Sequence, residues 1–389
     1  MRKVFGALAF LLLMTLCACT SRQQAEAEAE AEALRAALQT RITALEESNS
    51  RAEAENRALR AELEEQQAQV EKLSGTIYEL TCLKPGGEVY LLGQRTAAMT
   101  DGESLYLDAA LLPEGDFDAA SCREQEGICY VQAEEFCEVL DLRMGTAPDG
   151  LVYYAREKHP VLPESGYAVP VLMYHAVGDD CWGYKDLFVR TEELEAQFRY
   201  LTEEGFDPIW FEDLSHLEDY DKPVILTFDD GYDDNYTLML PLVRQYGVKV
   251  TVFVIGSAME GMQHKMTAAQ VQEMAQSGLV SIQSHTYTHH DLSAMDEEET
   301  RMELEFSRDA IAAVTGEVPY VLCYPEGRHQ KLTVDIAKEY YTYGIRMNGY
   351  LYHTGDDPFE VNRFFVSRDT DLSTFAAVCK EGIYDKDQN

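Results

Sequence analysis

From Val169 onward the chain repeats one pattern, a short apolar run that ends on polar residues followed by an amphipathic stretch. Val169–His175, Pro223–Asp230, Lys249–Gly256, Val280–His285 and Tyr320–Tyr324 read as strands. Between them Glu192–Glu204, with Thr191 as its cap, Asn235–Tyr246, Thr267–Ser277, Glu297–Val314 and Lys331–Tyr341 read as helices. Gly344–Asn348 and Phe364–Val366 read as closing strands. Strands joined through helices pair in parallel, so this alternation restricts the region to an α/β fold, a βα barrel or a doubly wound sheet. In a barrel, the residues that follow the strands collect on one rim, where barrels keep their sites.

The unusual polar residues stand at those strand ends: His175, Asp229-Asp230, His285 and Tyr324-Pro325-Glu326-Gly327. Two segments carry chemistry. Thr227-Phe-Asp-Asp-Gly231 supplies adjacent carboxylates, and His285-Thr-Tyr-Thr-His289 supplies imidazoles at i and i+4. One carboxylate and two imidazoles make a three-ligand metal site with a position left open for water, the pattern of a catalytic zinc. The spare carboxylate can then take the proton of that water. Thr286 stands where the glutamate of an H-E-x-x-H protease would be, so the base comes from elsewhere, in agreement with Asp229.

Over about Val169 to Phe375, these motifs resemble the polysaccharide deacetylase family, the NodB-homology domain or carbohydrate esterase family 4. The resemblance implies a distorted, incomplete βα barrel that removes acetyl groups from sugars, usually with zinc or another divalent transition metal. It assigns Asp229 as general base and Asp230, His285 and His289 as metal ligands. The family often has Arg two residues before the Pro of its third motif, where this chain has Cys323; Arg363 is the candidate replacement as partner of Asp229. The backbone N–H of Glu326 is expected to join the metal at the oxyanion, with Tyr324, Pro325 and Met173 touching substrate. The family's Leu-x-His near the carboxyl end is missing from 370–389, whereas Val171-Leu-Met-Tyr-His175 opens the domain. That is similar to the circularly permuted, poly-N-acetylglucosamine deacetylase-like branch, in which the first strand supplies the histidine, and it implies His175 as general acid.

The amino-terminal half reads as delivery apparatus. Arg2 and Lys3 precede an apolar run from Val4 to Leu16, which is a secretory signal. Leu16-Cys17-Ala18-Cys19 resembles a bacterial lipobox, implying a signal over 1–18 and a diacylated Cys19. Without residues 1–18 the chain has 30 basic against 69 acidic residues, formally −39. Such a chain is repelled by nucleic acid and tolerates cationic polymers such as partly deacetylated amino sugars.

Residues 22–73 lack Gly and Pro and hold a heptad register. Leu38, Leu45, Ala52, Leu59, Gln66 and Leu73 fall at d; Ile42, Asn49, Asn56, Leu63 and Val70 fall at a. The two Asn favour a parallel homodimer, and roughly 40 helical residues make a stalk of about 60 Å. The expected domains are therefore 1–18, the anchor and stalk over 19–75, a small α+β module over 76–160, and the catalytic domain over 165–389. The module is similar, through Tyr130-Val-Gln-Ala-Glu-Glu-Phe136, to the copper amine oxidase amino-terminal-like module of secreted proteins, and reads as a spacer or wall binder. Four cysteines between 82 and 137 fit one or two disulfides outside the membrane.

Taken together these features predict an extracytoplasmic, membrane-anchored, metal-dependent N-deacetylase facing the cell wall, acting on an acetylated amino-sugar polymer such as peptidoglycan or poly-N-acetylglucosamine. An O-acetyl glycan esterase using the same residues, or a non-catalytic envelope-binding lipoprotein, are the alternatives that the residues leave open.

Overall fold

The computed structural model describes residues 32–41, 43, 83–111, 122–349 and 351–381. The chain divides into two units, one of 1–76 with 113–116 and one of 77–112 with 117–389. In the first, the described residues are helical over 32–41, with Leu38 of the expected seam exposed. The rest of the heptad stretch, the signal and Cys19 lie outside the described residues. Among the described residues no helix is long and apolar enough to cross a membrane.

Among the described residues the second unit contains two eight-stranded sheets and two two-stranded ones. The amino-terminal sheet begins with β1 (Lys84–Leu91), β2 (Gln94–Thr100), β3 (Leu105–Asp108), β4 (Arg123–Gln125) and β5 (Ile128–Gln132). It continues through helix α1 (Ala133–Leu140), β6 (Leu142–Thr146) and β7 (Val152–Glu157). Alternation is strict enough that one face of β1, β2, β3 and β5 packs Val89, Leu91, Ala98, Leu107 and Val131 onto Phe136 of α1. Cys122 and Cys129 are joined as a disulfide, and Cys137 is unpaired among the described residues.

The other eight-stranded sheet is the expected parallel one. The strands that follow in the chain are β8 (Ala168–Val169), β9 (Val171–Tyr174), β10 (Ala176–Val177), β11 (Phe188–Val189), β12 (Asp207–Pro208), β13 (Pro223–Phe228), β14 (Val250–Val254) and β15 (Val280–Ser284). After them come β16 (Glu317–Val318), β17 (Val321–Cys323), β18 (Tyr343–Ile345), β19 (Tyr352–His353) and β20 (Phe364–Phe365). Of these, β10 with β11 and β8 with β19 form the two-stranded sheets, and β16 pairs with β7. The main order is β18-β17-β15-β14-β13-β9-β20, every neighbouring pair parallel, with β12 beside β13. The helices between them are α2 (Thr191–Glu203), α3 (Leu240–Tyr246), α4 (Ala268–Ala275), α5 (Glu297–Thr315), α6 (Lys331–Ala337) and α7 (Leu372–Glu381).

Burial on both faces explains the continuous apolar runs. Leu172, Tyr174, Leu226, Phe228, Val252 and Val254 point into the layer shared with the helices. Their neighbours Val171, Ile225 and Phe253 point the other way, where Phe211, Leu214 and Leu217 of a 3-10 segment fill the interior of the open barrel. Period-two alternation in a strand with no solvated face leaves no polar positions to mark it. Truncating a side chain such as Leu226 to Ala would cost about 2–5 kcal/mol.

Three local expectations differ. Pro170 splits the first strand into β8 and β9, since it cannot donate to a ladder. Thr191 is the first helical residue rather than the cap, which is Arg190 without a side-chain bond. The helix expected from Asn235 starts as a π-turn over Asn235–Met239 and becomes α-helical at Leu240, a distortion that is frequent beside functional sites.

The amino-terminal sheet gains a strand that periodicity does not reveal. β16, only two residues long, follows α5 of the parallel-sheet region and pairs in parallel with β7. Gly93 and Gly316 meet here with φ of 81° and 77°. A Cβ on Gly316 would lie 2.3 Å from the Leu92 carbonyl carbon, and one on Gly93 would lie 2.6 Å from the Val314 oxygen. The Tyr153 hydroxyl donates to buried Asp309 of α5 at 2.7 Å, and Arg308 bonds the same carboxylate oxygen at 3.0 Å.

Candidate active site

Four strands end on the rim that was expected to carry chemistry. Asp229 follows β13, and its N–H donates to the Tyr174 carbonyl at 2.9 Å. His285 follows β15, its N–H donating to Val254 O at 2.9 Å. The Asp230 Oδ1 lies 3.5 Å from His285 Nε2 and 3.3 Å from His289 Nε2. His285 Nδ1 is 2.8 Å from the Cys323 carbonyl oxygen. A carbonyl only accepts, so Nδ1 carries the proton and the Nε2 lone pair faces Asp230, the tautomer a metal ligand requires. Burial pushes the His285 imidazole down to about 4, leaving it neutral and free to ligate at pH 7. One ligand atom from each of Asp230, His285 and His289 lies within 4.8 Å of the others. Two imidazole nitrogens and one carboxylate in that space fit a divalent cation with borderline-soft preferences.

A second trio, Asp229, His285 and Cys323, is equally close but is committed elsewhere. Arg363 Nη1 donates to Asp229 Oδ1 at 2.7 Å and Nη2 donates to Oδ2 at 2.8 Å. Arg363 Nη1 also bonds Thr227 Oγ1 at 3.0 Å, and Nη2 lies 3.1 Å from the Cys323 sulfur. Burial raises the Cys323 thiol, against the pull of Arg363, so the sulfur is not a thiolate. Burial would also raise the Asp229 carboxyl, yet the Arg363 guanidinium outweighs it and holds Asp229 below the usual carboxylate range. Arg363 therefore stands as the bidentate partner that the residue at 323 does not provide. Cys323 fills the space with a small, neutral side chain.

His175 ends the first strand, 9% exposed, with Nε2 at 4.0 Å from Asp229 Oδ2. Burial lowers its basicity and the nearby carboxylates only partly restore it, so the resting imidazole is neutral. Phe365 packs edge-on against it at 5.7 Å, and Asn235 Nδ2 bonds its backbone oxygen at 2.9 Å. Starting a helix at Asn235 with a π-turn is thus tied to holding the His175 loop.

Backbone strain gathers at this site. Eight non-glycine residues among those described have positive φ, and four of them are Asp230, Thr286, His289 and Glu326. A β-branched residue at φ 64°, as Thr286 is, persists only when its surroundings over-determine it. Here Thr286 O accepts Gly256 N–H at 3.0 Å, and Thr286 Oγ1 accepts His289 N–H at 3.0 Å. That hydroxyl is the reason for a Ser or Thr after the first histidine: it folds the turn that brings His289 back. Glu303 of α5 completes the clamp, its Oε2 accepting Tyr287 N–H at 3.0 Å and Thr288 N–H at 2.8 Å while Oε1 accepts the Thr288 hydroxyl.

Sequence reasoning missed Glu303. Its signal was a glutamate on the stripe Thr300, Glu303, Leu304, Ser307, all buried at helical spacing. Lys265 was missed too: its ammonium stands 4.0 Å from Asp230 Oδ2 and 3.6 Å above the Tyr232 ring. Side-chain substrate contacts expected of Tyr324 and Met173 are not what the fold provides. Tyr324 is fully buried with its hydroxyl on Phe359 O at 3.1 Å, and Met173 is 1% exposed within β9. Pro325 is buried in the short turn that follows. Glu326 is at φ 54° and Gly327 at φ 69°, which turns the chain sharply at the rim.

The comparisons agree with this geometry. Residues 217–344 match the model of the polysaccharide deacetylase family. YxkH of Bacillus subtilis, whose name places it among the polysaccharide deacetylases, is 32% identical over 176 residues, covering 44% of this chain and 61% of that protein. The poly-beta-1,6-N-acetyl-D-glucosamine N-deacetylase of Escherichia coli K12 is 29% identical over 147 residues, covering 33% of this chain and 22% of that protein. The crystal structure of a polysaccharide deacetylase from Bacillus cereus aligns with a TM-score of 0.53 at 25% identity, over 66% of this chain and 83% of that one. Residues 217–344 carry a polysaccharide deacetylase domain. The chain spans less than two thirds of the length of these two relatives.

Proposed function

We propose that this chain is a metal-dependent hydrolase that removes N-acetyl groups from an amino-sugar polysaccharide. The observation that carries the reading is the pairing of two unlike carboxylates on adjacent residues. Asp230 faces two imidazoles, whereas Asp229 is held ionised by a buried bidentate arginine. Such a division separates ligand from base. Asp230, His285 and His289 are the residues to hold a divalent cation, zinc by default. When bound, the cation polarises the acetyl carbonyl and acidifies water.

The chain's own groups supply the rest. Asp229 takes the proton of the attacking water. Because Arg363 makes Asp229 a weak base, that proton passes readily to the neutral His175, 4.0 Å away, and from there to the departing sugar nitrogen. The Glu326 N–H is the backbone donor proposed for the developing oxyanion. His175 on the first strand agrees with the permuted branch. Amino-sugar deacetylases among the relatives support an acetylated amino-sugar polymer as substrate. We extend the reading to an extracytoplasmic position, with acylated Cys19 as anchor and a coiled-coil dimer as stalk.

The test is acetate release by the full chain from N-acetylglucosamine oligomers and from peptidoglycan, before and after chelation and again with zinc restored. Release that stops on chelation and returns with zinc supports the reading. Release that is indifferent to chelator contradicts it. In the same assay His175→Ala should lower turnover of the amide by about 10²–10⁴-fold. Turnover of an aryl acetate ester, whose leaving group needs no proton, should fall far less.

A further inference from the structure

Beside the candidate site stands an aromatic construction that the proposed chemistry does not use. Trp182, in the loop between β10 and β11, stacks on His264 with centroids 4.1 Å apart and planes within 4°. Phe188 and Tyr232 meet the same indole edge to face at 5.0 and 4.9 Å. Three rings fix the indole, yet 43% of it remains exposed. Such exposure for a large apolar ring held this firmly calls for an occupant.

The platform is bolted to the catalytic turn. Met266 N–H donates to Gly231 O at 2.9 Å, and Asp233 N–H donates to His264 O at 3.2 Å. Tyr232 and Lys265 form an antiparallel bridge. His264 itself sits at φ 60°, a left-handed conformation fixed by these bonds. From the other side, buried Arg368 donates to Gly178 O at 3.1 Å and Asp179 O at 3.0 Å, holding the loop that carries Trp182. Contacts of 4.9, 3.6 and 4.0 Å lead from Trp182 through Tyr232 and Lys265 to Asp230. The indole is therefore two side chains removed from the candidate ligand Asp230 and tied to it by these contacts.

The chemistry of the surface selects the occupant. A pyranose presents a face of C–H groups, weakly positive and apolar, that matches the negative face of an aromatic ring. Asp179 and Asp180, exposed in the same loop, add negative charge suited to a glucosamine ammonium left by an earlier turnover. We propose that Trp182, backed by His264, is a sugar-stacking subsite for the residue next to the one being deacetylated, and that it makes the chain select polymer over single sugars. The proposal rests on the deacetylase reading for the identity of the sugar, while its test does not require turnover.

Binding is measured by calorimetry on the zinc-loaded Asp229→Asn chain, with β-1,4- and β-1,6-linked N-acetylglucosamine tetramers and with the monosaccharide as probes. Trp182→Ala in that background should weaken at least one tetramer about tenfold and leave the monosaccharide unchanged; Trp182→Tyr should recover most of the loss. In the active chain, Trp182→Ala should raise KM for the tetramer by a similar factor with kcat within about twofold. Equal tetramer affinity with and without the indole would overturn the subsite, as would absence of tetramer binding to the parent. Trp182-dependent binding in a chain whose wild type releases no acetate would uphold the subsite and sink the deacetylase reading. Acetate release with no dependence on Trp182 would do the reverse.

Discussion

At the scale of single residues the account turns on Asp229. Its carboxylate is buried, and burial alone would favour protonation, so its ionisation depends on Arg363. Arg363→Lys keeps the charge but loses one of the two parallel bonds. The base should then titrate higher, and the acid limb of kcat/KM should move to higher pH, as a pH–rate profile would show. An unmoved limb would mean that Arg363 serves packing alone. Asp234 offers a second test. Burial pushes it up to about 7, its Oδ1 accepting from Val177 N–H and Asn235 Nδ2. The folded chain thus holds a proton there that the unfolded chain has lost above its own pKa of 3.8. The stability associated with that proton is present at low pH and is lost as pH rises through about 7. Asp234→Asn removes this dependence while keeping the acceptor. Its advantage over wild type should grow from about pH 4 to about pH 7, on the order of 1 kcal/mol per pH unit, and then level off, as read from urea midpoints. A constant difference would contradict the buried ionisation. The ligand residues were legible because TFDDG and HTYTH are contiguous. Arg363 was legible only as a candidate, because 134 residues separate it from Asp229 and nothing local announces the pair.

At the scale of elements the deciding structure is the turn over His285–His289, held open in a strained path by Glu303 from α5. Glu303→Ala should weaken zinc affinity about 10–100-fold by competition with a chromogenic chelator. Glu303→Gln, which can keep an oxygen on the two N–H groups, should restore most of it. Equal affinity in all three would remove Glu303 from the positioning of His289. The helices and parallel strands were readable from periodicity, because each has ten or so amphipathic residues or a five-residue apolar run. Their ends were less so. Pro170, Arg190 and the π-turn at Asn235 each shift a boundary for reasons of tertiary hydrogen bonding that periodicity does not encode.

At the scale of the whole described unit, the amino-terminal sheet is continuous with the region that carries the site. Two residues of β16 extend it, and Tyr153, Ala155, Ala312, Ala313 and Val318 share one buried cluster. Nothing in a two-residue strand is visible to a periodicity argument, so this junction was beyond the reach of sequence reading. Tyr153→Phe removes one of the bonds to buried Asp309 and should cost about 1–3 kcal/mol by urea denaturation. A variant as stable as wild type would show that the junction contributes little. Metal should matter at this scale too. A cation present at about 1,000 times its Kd stabilises the folded chain by about 4 kcal/mol, so chelation should lower Tm.

The most direct measurement of the central claim takes one sample of Asp229→Asn and reads two quantities, bound zinc and acetate released from N-acetylglucosamine oligomers. The account predicts wild-type zinc content, because Asp230, His285 and His289 are untouched, with turnover reduced by about 10²–10⁴-fold. Near wild-type acetate release from the zinc-loaded variant would contradict the division of labour between the two aspartates.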